Sequence, residues 1–143
     1  MTSACTHKLP AQQGFGQSEF ETLLQQLAQG WNDNDARKAS LVFSENAVYS
    51  EPSDKQLYQG RPALFEFFGG ESGRDSWMKM DWHHISFNPS TSVGAGEFSF
   101  SWQGGNAHGM VSIKIKDGRI SHWREYFYED SKTWEEFTRA NPF

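Results

Sequence analysis

Residues 92–128, SVGAGEFSFSWQGGNAHGMVSIKIKDGRISHWREYFY, alternate apolar and polar side chains over three long runs, broken at Gly104-Gly105-Asn106 and at Asp117-Gly118. Alternation of this kind is the period of a half-buried β-strand, and Asp-Gly between two such runs signals a tight type I′ hairpin. In the first run Phe98, Phe100 and Trp102 oppose Glu97, Ser99 and Ser101. In the last, Trp123, Glu125 and Phe127 share one face, and His122, Arg124, Tyr126 and Tyr128 the other. Burial turns Phe98, Phe100 and Trp102 inward; for the last run burial alone permits either face.

Another run precedes these across Asn88-Pro89-Ser90, so the second half reads as an antiparallel meander of Met78–Phe87, Ser92–Trp102, Ala107–Lys116 and Arg119–Tyr128. The first half reads differently. Residues 1–17 have little apolar periodicity and are expected to form a flexible arm, with a single domain over residues 18–143. Ser18 and Glu21 have capping-box spacing, and Phe20, Leu23, Leu24, Leu27 and Trp31 then recur on one helical stripe. Asp35 can cap a second, short helix whose buried side is Ala39, Leu41, Val42 and Phe43. Ala47–Glu51 alternates as a strand that stops at Pro52, with Ala47, Tyr49 and Glu51 on one face. Pro62 opens a third helix with Leu64, Phe65, Phe67 and Phe68, which Gly69 and Gly70 end. A polar loop follows over residues 69–76, and a last short helix over residues 132–139. The order predicts an α+β fold, with helices on one face of a strongly curved antiparallel sheet.

Composition narrows the function. The 143 residues, 36% of them hydrophobic, fit one core. The lone Cys5 cannot make an internal disulfide. A net charge of −5 with scattered basic residues argues against a nucleic-acid surface. No apolar run approaches the roughly 20 residues of a membrane helix, and the first residues lack a signal-peptide block, so a cytoplasmic protein is expected. Six Trp, twelve Phe and four Tyr are more ring surface than a core of this size needs, which points to a ring-lined cavity.

Metal and cofactor readings find no support. His83 and His84 are neighbours in a strand and are expected on opposite faces, and HExxH or Cys-x-x-Cys spacing is absent. Gly14-Phe15-Gly16 and Gly94-Ala95-Gly96 lack the other elements of a nucleotide-binding loop. No metal and no cofactor are expected.

Several segments taken in order carry a resemblance. They are Gly30-Trp31-Asn32-Asp33-Asn34-Asp35, Leu41-Val42-Phe43, Ala47-Val48-Tyr49-Ser50-Glu51-Pro52, Gly60-Arg61-Pro62-Ala63-Leu64, Asp117-Gly118-Arg119-Ile120 and Trp123-Arg124-Glu125-Tyr126-Phe127. Over roughly residues 18–130 the chain resembles the SnoaL-like branch of the NTF2-like superfamily. The resemblance implies an NTF2-like (cystatin-like) cone around a helix-capped pocket, paired as a homodimer through the outer sheet face. It also implies that Trp123, Glu125 and Phe127 face the pocket.

Glu51 falls where ketosteroid isomerases, which the chain resembles, carry an Asp-Pro base, and Glu125 where limonene-epoxide hydrolases carry an aspartate. Tyr49 and Glu51 also match that second group's water-positioning tyrosine and asparagine. Two departures stand out: Leu27 occupies the place of the isomerases' oxyanion tyrosine, and Phe98 and Phe100 replace the hydrolases' arginine and aspartate. The implied function is a SnoaL-like enzyme performing general acid–base proton transfer, of isomerase, cyclase or hydratase type, on a bulky apolar or aromatic ligand. The expected catalytic set is Glu51 as base, Glu125 as acid and Tyr49 as hydrogen-bond donor. Trp31, Phe65, Phe68, Trp82, His84, Phe98, Phe100, Trp123 and Phe127 are the expected ligand contacts. Against this stands a non-catalytic ligand-binding or dimeric interaction module, in which Glu51 is an edge residue, Glu125 pairs with Arg124 or Arg119, and Tyr49 is a packed ring.

Overall fold

A computed structural model of the chain describes residues 14–51 and 55–143. Elements follow in the order α1 (Gln17–Asn32), α2 (Ala36–Leu41), β1 (Phe43–Glu51), β2 (Gln56–Gln59), α3 (Arg61–Phe67), β3 (Met78–Asn88), β4 (Val93–Trp102), β5 (Gly105–Lys116), β6 (Arg119–Asp130) and α4 (Trp134–Thr138). The strands make one sheet, ordered β2-β1-β6-β5-β4-β3, in which only β1 and β6 run parallel. The α+β class and the long meander are as the alternation requires. Asp117 and Gly118 both have positive φ, as a type I′ turn demands. No helix among the described residues is long and apolar enough to cross a membrane.

Most of the expected arm, residues 1–13, lies outside the described residues. Its last part is tied down: Phe15 packs edge-on to Phe87 at 5.3 Å, and the Gln17 amide bonds both Ile85 O and Phe87 N. The helix cap therefore shifts from Ser18 to Gly16, whose N–H donates to Glu19 Oε2 at 2.9 Å. Glycine has no side chain, so this is half of a capping box. Asp35 caps α2 as expected, its Oδ1 accepting from Lys38 N at 3.0 Å.

The apolar stripe of α1 supplies Phe20, Leu24, Leu27 and Trp31 to a core completed by Phe43, Leu64, Phe68, Ile113, Ile120 and Trp123. Each such side chain contributes roughly 1.5–3 kcal/mol by leaving water. Gly30 lets α2 cross α1 closely, since a Cβ there would stand 2.6 Å from Ala39 N.

Three boundaries differ from the sequence reading. Leu41 is exposed and Phe43 starts β1, because the chain turns at Val42 and the Arg61 guanidinium holds the Phe43 carbonyl at 2.7 Å. The short β2 covers what reads as an edge of β1, pairing Tyr58 with Tyr49. The ladder of β3 with β4 also slips between Trp82 and His84, a bulge that reverses the facing of every later residue. Its consequence is that His83 and His84 do not oppose each other. His83 meets Ser99 at 2.7 Å and stacks on Trp134, and His84 lies beside Glu97, so both are on the outer face, where α4 packs.

Candidate active site

The parallel pairing of β1 with β6 builds the site. Tyr49 is in register with Trp123 and Ser50 with Arg124, so one step further Glu51 and Glu125 come level on adjacent strands, both on the inner face. The rings of Tyr49 and Trp123 stack at 5.3 Å with 7° between planes, and the Tyr49 hydroxyl donates to Glu125 Oε1 at 2.5 Å. A contact this short is a charge-assisted hydrogen bond when the carboxyl is ionised. The Trp123 indole N–H is buried without a hydrogen-bond partner of good geometry, although it lies close enough to Glu125 to favour the carboxylate.

Glu125 is 7% exposed. Burial pushes its pKa up to about 7, the neighbouring Glu51 charge adds to the rise, and the Tyr49 hydrogen bond works against it. Glu51 is half-buried, and desolvation raises its pKa while Lys55 opposes the rise. Burial and the Glu125 charge raise the Tyr49 hydroxyl well above its ordinary value, so it stays a donor. The more exposed carboxyl ionises first, which leaves the buried one holding a proton near neutrality.

These groups line a cavity of about 430 Å³. Trp31, Phe98, Phe100, Trp123 and Phe127 are in its wall with Tyr49, Glu51 and Glu125. Among the described residues no group of three or more His, Cys, Asp or Glu side chains could hold a metal.

Neither a protein-family model nor a curated protein sequence matches the chain significantly. Solved structures do resemble it. An NTF-2-like protein from Burkholderia xenovorans superposes with a TM-score of 0.68 at 16% identity, over 91% of this chain and 98% of the other. An LEH-like epoxide hydrolase from M. tuberculosis gives 0.67 at 16% identity, over 87% of each chain. The epoxide hydrolase/cyclase-like enzyme SalBIII, of pyran ring formation in salinomycin, gives 0.65 at 17% identity, over 78% of this chain and 92% of its own. The chain has the NTF2-like fold. At these identities the likeness is one of architecture, and enzymes are among the proteins that share it.

Within this NTF2-like cone four of the expected ligand contacts lie away from the cavity. Phe65 sits on the outer side of α3, where the Arg37 guanidinium covers it at 5.8 Å. Phe68 is fully buried core between Trp31 and Phe43. Trp82 is pinned beneath α1, its indole N–H spent on Leu24 O at 2.9 Å. His84 is carried to the outer face by the β3 bulge.

The helix presents Phe67 instead, which stacks on Tyr58 at 4.3 Å and lines the cavity. Three phenylalanines within four residues gave no signal for this choice, since each step turns the side chain by about 100°. Met78 and Met80 also line the wall, and their alternation with Lys79 and Asp81 marks only that they face inward.

Arg74 was not foreseen. Its Nη1 donates to Phe68 O at 3.0 Å and its Nη2 to Trp31 O at 2.6 Å, at the ends of α3 and α1. The guanidinium lies 4.6 Å over the Trp31 ring, and burial works against its charge. Asn34 clasps the same residue, donating to Arg74 O and accepting from Arg74 N. Helix C-termini favour a cation, and these bonds dock loop 69–76 against the helix ends.

Proposed function

We propose that the protein is a small-molecule enzyme of isomerase, cyclase or hydratase type, moving a proton on a bulky apolar or aromatic carbonyl compound. Glu51, the first to ionise, is the base that removes a proton beside the carbonyl. Glu125, still protonated near neutral pH, is the acid that delivers a proton to the developing oxyanion or to carbon. Tyr49 holds the Glu125 carboxyl in place, and its donated hydrogen bond stabilises the carboxylate once the proton has left. The reading rests on one observation: a buried carboxyl, bonded by Tyr49, faces the same aromatic cavity as a second carboxyl on the neighbouring strand. Two environments that push like groups apart in titration are how one site holds an acid and a base together.

The test uses acetylnaphthalene. The compound is expected to raise the melting temperature by several degrees through preferential binding to the folded state. Its acetyl protons are also expected to exchange with deuterium faster in the protein's presence. If no apolar ketone or phenol in a broad library stabilises the fold, the proposal fails.

A second reading, a ligand-holding or interaction module without chemistry, is favoured by Phe98 and Phe100, which present rings to the cavity rather than polar groups. Under either reading we propose a cytoplasmic homodimer through the outer sheet face, where Tyr126 and Tyr128 are 60% and 64% exposed. Sedimentation is expected to give twice the chain mass, and a monomer at micromolar concentration would be the contrary result.

A further inference from the structure

We propose that the cavity selects ligands bearing a carboxylate, which Arg74 receives while the apolar body reaches toward Glu51 and Glu125. This rests on the small-molecule reading above and names the chemistry of its ligand. Arg74 is the one cationic side chain among the described cavity-lining residues. Among the described residues no carboxylate lies within ion-pair distance of it, and Glu71 of the same loop pairs with Arg37 instead. Its two terminal nitrogens each serve a backbone carbonyl, but its Nε–H is buried and has no acceptor. Arg74 is half-buried, so its charge is only partly hydrated, and a buried N–H without an acceptor adds to the cost; an arriving carboxylate offsets both.

The cation is also pre-positioned. Trp31 beneath it, the two helix-end carbonyls and the Asn34 clasp leave the guanidinium little to lose on binding. Phe67 then separates the two polar ends of the cavity. Its ring is 5.6 Å from Trp31, under Arg74, and 5.4 Å from Tyr49, on which Glu125 rests. A flat ligand anchored at Arg74 therefore passes Phe67 before it meets the acids, and the anchor decides which ligand carbon they reach.

The probes are naphthoate and its neutral methyl ester, titrated calorimetrically against the full chain at about pH 6, where Glu125 holds its proton. Naphthoate is expected to bind about tenfold tighter than the ester, the scale of one charge-assisted contact. Arg74→Met is expected to erase that preference. Equal affinities, or a tighter ester, overturn the inference and leave the small-molecule reading standing, as does a preference that survives in Arg74→Met. If neither probe binds, the inference falls, and stabilisation by the ketones and phenols decides the small-molecule reading separately. Should Arg74→Met fail to fold, the two wild-type titrations decide the matter by themselves.

Discussion

Glu125→Gln is expected to stabilise the folded chain at about pH 8 while abolishing proton transfer. The carboxyl has a pKa of about 7 in the folded state against an ordinary 4.5, so folding takes up a proton between those values. Wild-type stability is therefore complete below the lower value and is lost as pH rises through the upper one. A shift of that size amounts to about 3 kcal/mol above neutrality. Glutamine has no charge to desolvate and its oxygen still accepts from Tyr49. Urea unfolding at about pH 5 and pH 8 is the measurement: the variant should gain little at the first and about 3 kcal/mol at the second. An equal difference at both would mean that the carboxyl is not desolvated, and the acid role would go with it. A site that stabilises the protein when disarmed is the usual sign of strain kept for function.

Glu51→Gln is expected to slow acetyl-proton exchange by about 100- to 10,000-fold, the range that a general base contributes. Protection against heat by the same ketone should survive, because glutamine fills the same part of the cavity wall and only the basicity is lost. A second effect separates this from simple damage. The Glu51 charge is one cause of the raised Glu125 pKa, so the variant's Glu125 should titrate at lower pH, as NMR of the carboxyl carbon would report. Unchanged exchange with an unchanged titration would make Glu51 a solvated edge residue.

Much of the architecture was legible because strand and helix periods are local. The alternation of Phe98, Phe100 and Trp102 and the stripe of Phe20, Leu24, Leu27 and Trp31 need only the geometry of their own element. The site was legible in part. His84 was misplaced because one bulge in β3 shifts the parity of all that follows, and no residue type at Trp82-His83-His84 announces it. Phe67 and Arg74 were missed because their facing comes from what they dock against, Tyr58 for one and the ends of α1 and α3 for the other.

By itself the order of residues determined the meander, the hairpin at Asp117-Gly118 and the apolar faces of α1 and β4. Only the tertiary structure decided that Tyr49 and Glu125, 76 residues apart, share a hydrogen bond, and that Glu51 comes level with Glu125. The physical reason is that a parallel strand pair joins distant segments through a register neither strand encodes alone. Burial likewise belongs to the whole assembly: the Glu125 pKa rises to about 7 only once the surrounding residues have displaced its water.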